Sequence, residues 1–349
     1  AELPGCGARS ASVAIHACAS LGVGDEAVLA ALGAAVRQHA SAFDRQGLAN
    51  VLWALAKLPR GARGDAPLDE LTRAALQCAE DFTPQETANI VWALPQLSAR
   101  DQRLVQKLVL VARHSIDGFR PQGLAMLALG FSSLGVFSEP LFKAISAATM
   151  RQASECNVQD AAQILAAFAK LKMQDDELIA ALCEGAGQAD WALQGGESVT
   201  SFLWALGTLK TPPAVRSLLR ALLGRVEQLA PTLRLRHIVL ALTGLAKVSS
   251  KAEELNVSKR LRRVAAAVAG RAAEVVERLD PQDLGLVAWA LTALDAPARG
   301  PVVRDLLGRA AAVCEELSWW SVAHLEYAAR SPGSGPAGGG EEAERLLRP

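Results

Sequence analysis

The strongest constraint on this 349-residue chain is that one segment recurs at a nearly fixed spacing. Phe43–Leu58 (FDRQGLANVLWALAKL) and Phe82–Leu97 (FTPQETANIVWALPQL) lie 39 residues apart and share Phe, Gln, Ala-Asn, Trp-Ala-Leu and the final Leu. The pattern continues in Phe119–Leu134, Cys156–Leu171, Gln194–Leu209, Ala230–Leu245 and Leu279–Leu294, with degenerate copies at Cys6–Leu21 and Leu317–Pro332. Starts near 6, 43, 82, 119, 156, 194, 230, 279 and 317 are 37, 39, 37, 37, 38, 36, 49 and 38 residues apart. Chains with such a period build one supersecondary unit per repeat and stack the units on a shared core, which overrides the domain count that length alone suggests.

Each unit begins with an apolar residue followed by Asp, Thr or Arg and often Pro, a helix start by capping and pre-set φ. Leu48, Val51, Leu52, Leu55 and Leu58 then fall at i, i+3, i+4, i+7 and i+10, the stripe of an amphipathic helix. A break follows, at Pro59-Arg60-Gly61, Gly135, Thr211-Pro212-Pro213 or Ala296-Pro297. A second periodic segment comes next, as in Gln102–His114, Glu139–Met150 and Val215–Leu229. The sequence predicts an all-α fold, an α-solenoid of about nine helix-turn-helix repeats of 37–38 residues over residues 1–330. Residues 331–349 open with Ser331–Gly340 (SPGSGPAGGG), flexible-linker composition, and close on a charged tail.

Trp53, Trp92, Trp204, Trp289 and Tyr327 share one repeat position inside the apolar stripe. Inter-repeat core packing is expected of them, in preference to base stacking, and Phe43, Phe82 and Phe119 read as hinge packing. The six cysteines stand singly without metal-ligand spacing and are expected as reduced thiols in helices. His16, His39, His114, His237 and His324 are scattered, and no phosphate loop or nucleophile elbow appears. Asp175, Asp176 and Glu177 read as a helix cap. The chain is therefore expected to be a binding scaffold, not an enzyme, with no cofactor and no membrane insertion.

The repeat unit, best seen at Phe82–Leu97, resembles the octotricopeptide repeat and its relative the heptatricopeptide repeat over residues 6 to about 330. That resemblance implies an organelle-targeted solenoid that binds single-stranded RNA along its helix array. The Pro-Pro-Pro-Glu-Trp element of octotricopeptide repeats has only Thr211-Pro212-Pro213-Ala214-Val215 as a counterpart, and residues 331–349 leave no room for the nuclease-like domain that ends some members. An architectural subunit of an organellar ribosome, in the mitochondrion more than the chloroplast, fits those departures. A chain opening inside a repeat fits a precursor without its targeting segment and a trimmed chain equally.

Net charge is zero, but residues 200–278 carry 14 Lys/Arg against 5 Glu, while 150–199 and 279–349 are net −5 and −4. A basic stretch between acidic flanks is an electrostatic footprint for phosphate. Its candidates are Arg234, Arg236 and His237 on a first helix and Lys259, Arg260, Arg262 and Arg263 on a second, in the one unit of 49 residues. A solvated charged face is the alternative. A polar column on the first helices is a further candidate: Gln46/Asn50/Lys57, Gln85/Asn89/Gln96, Gln122/Met126/Ser133 and Gln159/Gln163/Lys170. Amides there suit base edges, with Asn50, Asn89 and Gln163 as readers, or inter-repeat hydrogen-bond ladders. Two functions are thus open: binding a transcript or ribosomal RNA inside a ribonucleoprotein particle, or scaffolding other proteins without RNA contact.

Overall fold

The computed structural model describes residues 7–59, 61, 63, 66–210, 215–253, 255–296 and 299–331. Residues 211–214 of the Pro-Pro segment, Arg60, Pro297, Cys6 and the 332–349 linker and tail lie outside them. The chain divides into two compact units, Ala1–Leu171 and Lys172–Pro349. Each is a run of α-solenoid, and the described residues form α-helices and short 3-10 turns without a strand.

The first unit holds α1 (Ala8–Leu21) and α2 (Glu26–Gln38), α3 (Arg45–Lys57) and α4 (Leu68–Gln77), and α5 (Pro84–Gln96) and α6 (Gln102–His114). It continues with α7 (Pro121–Ser133), α8 (Glu139–Arg151) and α9 (Val158–Lys170). The second unit holds α10 (Asp176–Gly187), α11 (Gly196–Thr208), α12 (Arg216–Leu229), α13 (Leu235–Ser249), α14 (Ser258–Ala273), α15 (Pro281–Ala293), α16 (Arg299–Ala312) and α17 (Trp319–Arg330). Odd-numbered helices are the first helices of the repeats and even-numbered ones the second.

Local chemistry places the helix starts. Thr83 and Glu86 form a capping box with Pro84 in the first turn, and Asn157 and Asp160 form another. The Asp44 carboxylate accepts from the Gly47 N–H at 2.7 Å. Asp175 accepts from the Leu178 N–H at 3.0 Å, the cap expected of that acidic group. Second helices end in a 3-10 turn before the chain re-enters the next first helix, at Ala79–Asp81, Ile116–Gly118, Ala153–Glu155, Trp191–Leu193, Ala230–Thr232, Val276–Arg278 and Cys314–Glu316. Phe43, Phe82 and Phe119 stand just ahead of α3, α5 and α7 and are buried, as hinge packing requires.

First helices begin two residues after the repeat starts, at 45, 84, 121, 158, 196, 281 and 319 for starts at 43, 82, 119, 156, 194, 279 and 317. The seventh differs. Residues 230–232 (Ala-Pro-Thr) form the 3-10 turn, α13 begins at Leu235, and Leu233 occupies the entry position. A recurring hydrogen bond marks the same register. Gln152 Nε2 donates to the Phe119 carbonyl at 3.0 Å, Arg225 Nε to that of Gln194 at 3.0 Å, and Arg271 Nε to that of Leu233 at 3.4 Å.

Within each unit the first helices pack on one another more extensively than the second helices do. A small residue eleven positions after the entry residue permits this. It is Ala54, Ala93, Gly130 and Ala167 in the first unit and Ala205, Gly244, Ala290 and Ala328 in the second. All eight are buried. One close approach lies beside Pro95, which sits inside α5 and has no N–H to give the Val91 carbonyl. A Cβ on Gly130 would lie 2.5 Å from that oxygen, so only glycine lets α7 rest there. Around these crossings Leu48, Leu52, Leu55, Phe131, Phe142, Phe168 and Phe202 are fully buried. Phe142 and Phe168 meet edge to face at 5.5 Å.

Candidate nucleic-acid interface

A concavity lies in the second unit, where α13 begins. It is a cleft of about 500 Å³ whose lining includes Glu197, Arg234, Arg236, His237, Arg271 and Arg278. Arg234 is the N-cap of α13 and offers no side-chain acceptor, so the first-turn N–H groups gain no side-chain cap. Helix N-termini and guanidinium forks both bind phosphate, the second in bidentate fashion. Glu197 is the one carboxylate among the described lining residues. Arg271 is steadied by Glu274, whose Oε2 accepts from Nη1 at 2.6 Å. Burial raises the Asp283 carboxyl pKa, with Asp280 adding to the rise and the positive charge of Arg236 opposing it.

The sequence brought Arg234, Arg236 and His237 together, and the fold keeps them together with different roles. Arg234 and Arg236 are exposed. His237 is only 8% exposed, and its Nδ1 would lie 3.0 Å from a Cβ on Gly196, so the missing side chain there makes room for the ring. Burial first, and then the Arg234 charge, hold its pKa below the ordinary value of 6.5. A buried imidazole with a lowered pKa is a neutral wall of the cleft at neutral pH, which leaves charged contact to the neighbouring arginines.

Lys259, Arg260, Arg262 and Arg263 are exposed on the first turns of α14 but do not line the cleft. Arg271, twelve residues further along, does, which at 1.5 Å per residue is about 18 Å away. The 200–278 charge excess therefore divides between the two ends of α14. Part of the first-turn cluster is already engaged, with Arg263 Nε 2.5 Å from Glu227 Oε1 and Arg260 Nη1 donating to the Arg220 carbonyl at 3.2 Å. Arg271 and Arg278 escaped sequence reading because they lie 37 and 44 residues from Arg234. The signal that could have found Arg271 is its equivalence to Gln152 and Arg225, each of which ties a second helix to an entry carbonyl.

The tryptophans pack between repeats as expected, with Trp53 against Trp92 and Trp289 against His324, but at the margin of the core. Trp53, Trp92, Trp204 and Trp289 are partly exposed and Tyr327 is exposed. The sealed positions are their neighbours Val51, Leu52, Ala54 and Leu55. The tenth position after the entry residue sits at the edge of the apolar stripe, beside the polar column. In the first unit His16, Trp53 and Trp92 form a row, with centroids 4.7 and 6.2 Å apart and ring planes tilted by 33° and 37°. Lys57 Nζ stands 4.6 Å from the Trp53 ring centre, and Lys247 stands 4.8 Å from that of Trp204 in the second unit.

Asn50, Asn89 and Gln163 are partly exposed on the same face. The Asn89 amide oxygen accepts from Gln85 Nε2 at 3.0 Å within its own helix, not across repeats. Inter-repeat bonds occur at the end of the column instead, where Lys170 donates to the Ser133 hydroxyl at 3.4 Å and Lys247 to that of Thr208 at 2.8 Å.

Among the described residues no group of three or more His, Cys, Asp or Glu side chains could hold a metal ion. No described helix is long and apolar enough to cross a membrane. The fold and the cleft define an α-solenoid of paired-helix repeats with a guanidinium-lined concavity. The chain belongs to the family described as RNA-editing substrate-binding complex 6 protein, which matches residues 109–330, from the second half of α6 to the end of α17. No curated protein matches the chain significantly.

Proposed function

We propose that this chain is an RNA-binding helical-repeat subunit of an organellar ribonucleoprotein assembly, and that it binds without catalysing a reaction. The observation that carries the reading is the cleft at the start of α13, where Arg234, Arg236, Arg271 and Arg278 surround an uncapped helix start. The family description adds the partners: an RNA that is an editing substrate, and the other proteins of a complex. A role within an organellar ribosome draws only on the octotricopeptide-like phrase at Phe82–Leu97, so an editing-substrate transcript is the better candidate than ribosomal RNA. The mitochondrion is the compartment we assign.

Phosphate contact positions an RNA without specifying its sequence. Binding should weaken with salt by roughly 0.7 log units per tenfold salt for each phosphate neutralised. Replacing Arg234, Arg236 and Arg278 together with Gln should flatten that slope and weaken every single-stranded RNA alike. A protein scaffold without RNA contact is favoured by the zero net charge and by the pairing of Arg263 with Glu227. Electrophoretic retardation across a salt series separates the two. A Gln variant that binds RNA like the parent, or a flat salt dependence, refutes the phosphate reading.

A further inference from the structure

The first unit carries a second surface of different chemistry from the cleft. On its five first helices, four positions recur along one face, exposed or partly exposed except at buried Met126: the third, seventh, tenth and fourteenth after each entry residue. They hold glutamines and asparagines, a few apolar residues, the aromatic row and the cations Arg9, Lys57 and Lys170. Residues 1–171 contain fifteen Asp and Glu, and none of them falls at any of these twenty positions. The face thus complements a polyanion by leaving out repulsion, while offering few fixed charges of its own.

Its centre is the row His16, Trp53 and Trp92, which runs across three successive repeats. The rings are fanned by more than 30° and partly exposed, so their π faces are not sealed against each other. One helical turn before each tryptophan stands a partly exposed amide, Asn50 before Trp53 and Asn89 before Trp92. Four residues after Trp53 stands exposed Lys57, held over the ring and free to exchange onto a neighbouring phosphate. An amide and then a stacking surface therefore repeat in that order along one helix face, followed by a cation after Trp53 and by the amide of Gln96 after Trp92. Around the two tryptophans, Asn50 and Asn89 occupy the places that hydrophobic docking of a protein would fill with apolar side chains, while exposed Val13 stands before His16.

We infer that this face is a stacking platform for unpaired nucleobases of single-stranded RNA, with Trp53 and Trp92 as the stacking residues and Asn50 and Asn89 beside them as base-edge contacts. The inference rests on the RNA reading above, but it places base contact in the first unit and phosphate contact in the cleft of the second.

The test compares a mixed-sequence single-stranded RNA oligonucleotide with the same strand carrying consecutive abasic sites, by fluorescence anisotropy on the whole chain. The parent protein should favour the base-bearing strand by roughly 5- to 150-fold for each base stacked. Trp53→Leu with Trp92→Leu should erase that preference and leave abasic-strand binding unchanged, while the matching Phe pair should retain most of it. Gln at Arg234, Arg236 and Arg278 should instead weaken both strands equally. If the parent binds both strands equally well, or the Leu pair keeps the preference, the platform is wrong and the phosphate cleft survives. Binding of neither strand by the parent overturns both readings.

Discussion

Gly130→Ala tests the helix crossing on which the first unit depends. A Cβ built on Gly130 meets the Val91 carbonyl oxygen at 2.5 Å and Val91 Cγ1 at 2.7 Å. Ordinary contact begins near 3.4 Å, so α5 and α7 would have to part by about 0.9 Å at this point. Backbone oxygen has no rotamer to escape into. Overpacking of a well-filled core costs typically 1–3 kcal/mol, and this backbone clash belongs near the upper end. Alanine returns about 1 kcal/mol through its better helix propensity. The net loss should be about 2 kcal/mol, which for a unit of this size lowers Tm by roughly 4–8 °C. The internal control is Gly270→Ala on α14, where a Cβ meets nothing within 4 Å. There the same change should stabilise by about 0.4–1 kcal/mol. Urea and thermal unfolding followed by circular dichroism reads both signs. A Gly130→Ala protein that melts with or above the parent would show that the crossing has slack and that the argument from Pro95 and Val91 fails.

Replacing Lys259, Arg260, Arg262 and Arg263 with Gln should leave the urea midpoint nearly unchanged, because exposed ion pairs contribute little. It should also weaken RNA less than the cleft variant in the same retardation assay. His237 titrates below 6.5 in the folded chain, so as pH falls through that value the unfolded state takes up its proton first and folding weakens. His237→Gln should make the decline in urea midpoint from neutral pH to about pH 5 shallower; an unchanged slope removes the buried imidazole as its source. Burial pushes the Cys183 thiol up to about 12 and that of Cys156 up to about 11, while Cys314 is exposed. Iodoacetamide at mild alkaline pH should label Cys314 first and Cys183 only on unfolding, as mass mapping would reveal.

The repeats were legible because each first helix carries its own start signal and stripe, and short-range chemistry survives in sequence. The seventh register was misjudged by three residues because Ala230-Pro231-Thr232 imitates an entry segment while serving as the preceding turn. The partial exposure of the tryptophans was not legible for a different reason. Apolar periodicity says which side of a helix faces inward, but it does not separate the centre of the stripe from its margin, and Trp53 lies one residue beyond sealed Leu52. The small residues at Ala54, Ala93 and Gly130 carry no hydrophobic signal, although they set how close the helices come. The cleft was half visible: Arg234 and Arg236 stand together in sequence, whereas Arg271 reaches them only through the antiparallel return of α14. The adjacent run Lys259–Arg263 drew attention by density and turned out to occupy the far end of that helix.

The 3-10 turns have a consequence for how such a chain can lengthen. From a second helix to the next first helix the connection is six residues long in five of eight cases: 39–44, 78–83, 115–120, 152–157 and 313–318. Inside a repeat the connection ranges from four residues at 22–25 to ten at 58–67. One joint in each repeat is thus of nearly fixed length and the other elastic. Extra chain added at an elastic joint leaves the spacing of successive first helices, and every row of side chains that depends on it, undisturbed. Extra chain at a fixed joint shifts all later rows against the earlier ones. A reporter peptide or a fused domain would accordingly be tolerated at 58–67 or 250–257, and a single residue inserted at 115–120 would not.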